Sequence, residues 1–219
     1  MNMNKTDIKM LVDGNVATIL LEAPENKPPT LDLEVLDKLD KCIEQIQGLQ
    51  LCTVFVKSSS ERFFCVWANI DALKDINEKS IGEWVLKGHK IFNKLEDLPI
   101  PVIALVKGYA MGGGLEVAMA CYLIFASQKA ILAQSEAMLG FIPGWGGTYR
   151  LRSRLGASKA KYYFYSGKML AAFEALNLGL VDFVGDEEEL ETEVQNFSES
   201  IANNNRNSIS QFKKILNDQ

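Results

Sequence analysis

The sequence predicts an α/β protein. Three observations carry that expectation. Short β-branched apolar runs such as Thr53–Lys57 and Val102–Val106 read as buried strands. Between them, apolar residues recur at helical spacing, as in Leu33, Leu36, Leu39, Ile43 and Ile46. Glycine, proline and Asx residues mark the junctions. Strands alternating with helices mean a layered sheet with helices outside it, and by that rule alone the doubly wound arrangement is expected. A length of 219 residues fits one domain, or one core with a small appendage.

Taken in order, residues 8–12 and 16–21 form a hairpin, with Asp13-Gly14-Asn15 supplying the turn. A proline-rich loop follows. The first helix then starts under a Thr30 or Asp32 cap and stops at Gly48. Thr53–Lys57 is a strand. Phe63–Ala68 is too short for a helix and reads as a strand end or buried turn, and Asn69 caps a short helix around residues 70–73. Residues 81–95 are helical, ended by Pro99 and Pro101, which deliver the chain to the strand Val102–Val106. Lys107–Glu116 reads as a glycine-rich turn running into helix. Residues 122–126 and 130–133 are strands, and 140–148 is a second glycine-rich loop. Helices are expected over 147–155, 158–166 and 171–178, broken at Gly156 and Gly167. A strand at 181–184 and helices over 187–203 and 208–217 close the chain.

Composition excludes several function classes. A formal net charge of −5 argues against a binding mode built on nucleic-acid phosphates. No apolar stretch approaches the roughly 20 residues that span a bilayer, and residues 1–7 lack an apolar signal core. Cys42, Cys52, Cys65 and Cys121 form no C-x-x-C pair and sit in apolar runs, so they read as core residues in a reducing cytoplasm. With His89 as the only histidine, no metal site and no metal cofactor are expected. There is no G-x-S-x-G elbow and no phosphate-binding P-loop. Lys27, Lys57, Arg62 and Lys74 flank apolar loops and are candidates to meet a ligand phosphate.

Two glutamates stand out. Glu116 lies one helical turn past the Gly112-Gly113-Gly114 run, and Glu136 stands before the second glycine loop. Glycines at the start of a helix leave N–H groups uncovered for negative charge. Two carboxyls brought together can hold a water for acid/base work, and their titrations then belong to the pair. The residues alone also allow the bland alternative, a tight strand-to-helix turn and two solvated glutamates.

Residues 99–116, PIPVIALVKGYAMGGGLE, resemble the signature of the crotonase superfamily, the enoyl-CoA hydratase/isomerase group. Residues 134–148, QSEAMLGFIPGWGGT, resemble its second signature, and Phe64–Ile70 matches the position of its first oxyanion loop. The resemblance implies a spiral of repeated ββα turns in place of the doubly wound sheet. It makes residues 1–185 the spiral core and 186–219 a C-terminal helical segment, shortened against the family pattern. It further implies an acyl-CoA thioester as substrate, with no separate cofactor. The thioester carbonyl would sit between the N–H groups of Ala68 and Gly113. Glu116 would activate water and Glu136 would protonate the α-carbon. Substrate contacts would fall to Trp67, Ile70, Gly112 and Gly144.

Because both glutamates are present, the resemblance favours a hydratase/dehydratase acting on 2-enoyl and 3-hydroxyacyl thioesters. Isomerisation or decarboxylation in the same site is the alternative, as is a non-catalytic acyl-CoA-binding partner subunit. A homotrimer or dimer of trimers is implied, with no nucleic-acid or membrane partner. Trp67 and Asn69 depart from the family's glycine and aspartate, and the indole is expected either to narrow the acyl pocket or to shift the Ala68 N–H. The shortened end admits an acyl-carrier-protein thioester as an alternative to the CoA ester.

Overall fold

The computed structural model describes residues 5–67 and 80–217. The hairpin forms as expected. β1 (Asp7–Asp13) pairs antiparallel with β2 (Val16–Glu22) across a two-residue loop in which Gly14 takes φ +56°. Helix α1 (Leu33–Gln47) is capped by Asp32, whose carboxylate accepts the Val35 N–H at 2.9 Å. Its apolar stripe, Leu36, Leu39, Ile43 and Ile46, is buried in the main core.

From there the chain climbs in repeated turns. β3 (Thr53–Ser58) is followed by β4 (Phe63–Val66) and, after residue 80, by α2 (Ile81–Glu96). β5 (Val102–Val106) is followed by β6 (Tyr109–Met111) and α3 (Gly113–Ala120). β7 (Tyr122–Ser127) is followed by β8 (Ile131–Ala133), a 3₁₀ turn at Glu136–Leu139, and α4 (Gly147–Ser166). In each turn the first strand joins one sheet and the second strand another. The six-stranded sheet runs β1-β2-β3-β5-β7-β10 and the four-stranded sheet β4-β6-β8-β9, with β9 at Leu170–Ala171 and β10 at Phe183–Gly185. Strands β3, β5 and β7 are mutually parallel, as are β4, β6 and β8. This is the ββα spiral. The doubly wound expectation fails because alternate strands leave the first sheet for a second one.

The remaining differences are local. The glycine-rich turn contains a strand, β6, which its three residues are too few to announce by period. The helices expected over 147–155 and 158–166 are one element kinked at Gly156, where φ is +75°. The last strand lies at 183–185, not 181–184. The Asn69 cap and its helix fall outside the described residues.

α5 (Ala172–Leu178) closes against β8 and β9, and α6 (Glu187–Asn203) begins with a capping box between Asp186 and Glu189. Leu190, Val194 and Phe197 of α6 cover Phe55, Ile103, Phe125 and Phe183 on the outer face of the larger sheet. α7 (Arg206–Asn217) docks through Lys213, a buried amine that donates to the Ile100 carbonyl at 2.9 Å; burial pulls its pKa down to about 8. Three of the cysteines are buried, Cys52 is partly so, and all four are free. Among the described residues no helix is long and apolar enough to cross a membrane.

A tight packing constraint lies where α3 meets β4. A Cβ on Gly114 would stand 1.9 Å from the Cys65 carbonyl oxygen, a main-chain atom that cannot step aside. Gly114→Ala is therefore expected to cost about 1–3 kcal/mol or more, read as a lower denaturant midpoint with unchanged slope.

Candidate active site

The four-stranded sheet sets the site's position. Val66 of β4 pairs with Met111 of β6, and Met111 pairs with Ala133 of β8. The three parallel strands thus end at one level, and the residues that follow them, Trp67, Gly112 and Gln134, leave the sheet at one edge. Gly112 takes φ +55°, and its N–H donates to the Ala133 carbonyl at 2.9 Å. Its own carbonyl accepts the Leu115 and Glu116 N–H groups and so starts α3. Gly113 is the first residue of that helix, where an N–H has no intrahelical acceptor.

Glu116 points inward from the first turn of α3 and is 2% exposed. One of its oxygens, Oε1, accepts two main-chain N–H groups of the second glycine loop, from Trp145 at 2.8 Å and Gly147 at 2.8 Å. Glu136 opens the 3₁₀ turn and is 8% exposed. Its Oε1 accepts the Gln134 amide at 2.5 Å, and that amide also reaches the Gly112 carbonyl at 3.4 Å. Its Oε2 is buried with no hydrogen-bond partner among the described residues. Burial pushes the Glu116 carboxyl up to about 7; the nearby Glu136 charge pushes the same way, against the pull of the two N–H donors and of Arg150. Burial also raises Glu136, while hydrogen bonds from its own N–H and from Gln134 pull it back.

The second glycine loop is fixed from behind. Trp145 is fully buried, packed against Trp84 in a tilted pair with ring centroids 4.3 Å apart and edge-on to Phe92 at 5.6 Å. Only a glycine at 88 admits it, since a Cβ there would lie 2.0 Å from the indole. The Trp145 carbonyl accepts from Arg150, which is buried and bonded to Asn93 at 2.8 Å and to Glu96 at 2.6 Å. These contacts tie the loop to α2.

The sequence-derived candidates sort as follows. Glu116, Glu136, Gly112, Gly113 and Trp67 come together at the sheet edge. Trp67 takes φ +64°, and its indole packs on Gly112. Gly144 lies beneath Trp84, 2.7 Å from where a Cβ would stand. Ala68, Ile70 and Lys74 fall outside the described residues. His89 is partly buried on α2, and burial lowers its proton affinity. Lys57 lines a groove shared with Ser59 and Leu190, on the face of β3 that α6 partly covers, and Arg62 lies over the Phe63 ring.

Gln134, Trp145, Gly147 and Arg150 were not singled out from sequence. Gln134 carries a signal, since residues two apart in extended chain point the same way. The Trp145 and Gly147 donors are main-chain groups and carry none. Among the described residues, no cluster of three or more His, Cys, Asp and Glu side chains is placed to hold a metal.

The Glu116 shift has a consequence for stability. Its folded value of about 7 lies above the ordinary 4.5, so the folded chain binds the extra proton between those two values. Stability is fully present below about pH 4.5 and falls as the carboxyl ionises toward pH 7, by about 3 kcal/mol at most. Unfolding free energies of wild type and Glu116→Gln, measured from pH 4 to 9, should diverge across that window and run parallel above it. A constant difference would show that the burial of this carboxyl carries no such cost.

Comparison with known proteins agrees with this architecture. The family model described as enoyl-CoA hydratase/isomerase matches residues 12–219. The short-chain-enoyl-CoA hydratase of Clostridium acetobutylicum is 32% identical over 216 residues, covering 98% of this chain and 82% of that protein. The crystal structure of an enoyl-CoA hydratase from Bacillus anthracis superposes with a TM-score of 0.89 at 32% identity, covering 96% of this chain and 82% of the other. An enoyl-CoA hydratase from Thermoplasma volcanium gives 0.89 at 30% identity, with 96% and 83% covered. With both glycine signatures lying inside the matched region and the ββα spiral in common, this chain belongs to the enoyl-CoA hydratase/isomerase family, the crotonase superfamily.

Proposed function

We propose that the protein is an acyl-thioester hydratase/dehydratase, adding water to a 2-enoyl-CoA and removing it from the 3-hydroxyacyl-CoA. The observation that carries this reading is the pair of buried carboxyls that follow the ends of β6 and β8 at one edge of the sheet. Two carboxyls brought together titrate as a pair. Its environments are unequal. Two N–H donors on Glu116 Oε1 favour an anion there, which suits a base that takes a proton from water. Glu136 Oε2 has no donor to hold an anion, which suits the group that keeps the proton and delivers it to the α-carbon.

In the forward direction, the water oxygen bonds to C3 as its proton passes to Glu116. The electrons of the C2–C3 double bond move toward the thioester oxygen, and C2 takes the proton of Glu136. Charge that develops on the thioester oxygen is met by the Gly113 N–H at the start of α3, aided by the helix dipole. In this reading the Ala68 N–H is the second donor and Gly144 helps to position the water. Dehydration runs the same transfers backward. The acyl group would arrive as a CoA thioester or on a carrier protein.

A homotrimer or dimer of trimers goes with this reading. Apolar side chains open to solvent support self-association: Met138 and Ile142 near the site, and Phe212, Ile215 and Leu216 on α7.

Loss of enoyl absorbance from crotonyl-CoA tests the activity. Glu116→Gln and Glu136→Gln should each lose on the order of 10²-fold or more in hydration rate. Wild-type rates in both variants would sink the proposal. Conversion of a 3-enoyl thioester with no hydration of the 2-enoyl one would replace it with isomerisation.

A further inference from the structure

We propose that Trp67 is a specificity residue: its indole walls the C2 side of the acyl pocket and confines the site to 2-enoyl thioesters that carry no alkyl branch at C2. This rests on the hydratase reading above for the placement of C1 and C2.

Trp67 holds a bulky side chain at φ +64°, a backbone region that favours glycine. The main chain cannot easily relax out of it. The Trp67 N–H donates to the Met111 carbonyl at 2.9 Å, and the Trp67 carbonyl accepts the Leu31 N–H at 3.3 Å. With the backbone pinned, the indole is laid on Gly112. A Cβ on Gly112 would stand 2.8 Å from Cε3 and 3.3 Å from Cζ3 of the ring, and 3.3 Å from Oε1 of Glu136. The ring edge and the acid therefore border the same small patch of surface above Gly112.

That patch is where the reacting carbons must lie. The thioester oxygen faces the Gly113 N–H, one residue on from Gly112, and C2 must reach the Glu136 carboxyl. A hydrogen on C2 fits beside an aryl edge. A methyl needs room that the close-packed ring and the glycine main chain do not leave.

The test compares crotonyl-CoA with its 2-methyl homologue on the full chain, with Trp67→Gly and Trp67→Ala as variants. Glycine adopts φ +64° without strain, so the first variant is expected to fold, and its thermal unfolding checks that. Wild type should prefer the unbranched substrate by about 10²-fold in kcat/KM. Trp67→Gly should narrow that ratio at least tenfold, with Trp67→Ala between. Equal use of both substrates by wild type, or a ratio unmoved by Trp67→Gly, overturns the assignment.

If wild type hydrates neither substrate, the hydratase reading has failed, and calorimetric binding of butyryl-CoA against 2-methylpropanoyl-CoA decides the role of Trp67 separately. Discrimination in wild type that Trp67→Gly abolishes supports the wall. A chain that binds both alike, or neither, overturns it.

Discussion

One carboxylate oxygen holds the two glycine-rich loops in register. Oε1 of Glu116 accepts the N–H groups of Trp145 and Gly147 at once, both at 2.8 Å. Without those donors a 2%-exposed carboxylate would be strongly disfavoured. Without the carboxylate, two buried N–H groups would lose their acceptor. Each side needs the other, so α3 and the second loop are fixed together at the point where chemistry is proposed. Behind the loop, Trp145 seated over Gly88 and Arg150 bonded to Glu96 pass the constraint to α2.

Close approach explains why so many glycines gather here. Gly147 can bring its N–H to Glu116 because a Cβ at that position would fall 3.0 Å from the carboxylate and 2.9 Å from Pro143. Gly114 lets the first turn of α3 lie against β4. Gly112 does both jobs: it turns the chain at φ +55° and leaves the space that the Trp67 ring and Glu136 border. The glycines are therefore less a flexible loop than a set of missing side chains, each removed where main chain must touch something else.

Much of this was legible in the sequence. The hairpin, α1, β3, α2 and β5 follow from period and punctuation, and of the two caps the sequence offered for α1, Thr30 and Asp32, the second is used. Period alone failed where elements are too short to have one. β6 has three residues and disappears into a glycine run, and with it went the second sheet, whose recognition came from the family resemblance. Glu116 and Glu136 were legible as carboxyls beside glycines, but their burial was not, since two glutamates read equally well as solvated surface. The groups that hold Glu116 are main-chain N–H donors, and no residue type announces them.

The spiral accounts for the meeting of two glutamates that are far apart in sequence. Each turn sends one strand into the four-stranded sheet, where β4, β6 and β8 are parallel and β6 and β8 run in step, with Tyr109 opposite Ile131 and Met111 opposite Ala133. Whatever follows β6 must therefore emerge beside whatever follows β8. Gly112 accordingly bonds to Ala133 through its N–H, and Gln134 reaches back to the Gly112 carbonyl. A helix start and a 3₁₀ turn placed at those two strand ends bring their first carboxyls into electrostatic range with no further device. The same reasoning applies one turn earlier. β4 shifts register against β6 between Phe63 and Cys65 but ends with Val66 opposite Met111, so the residue after Val66 emerges at the same edge. In this chain that residue is Trp67, and the register of the sheet, more than the preference of the local backbone, decides that its indole stands at the site.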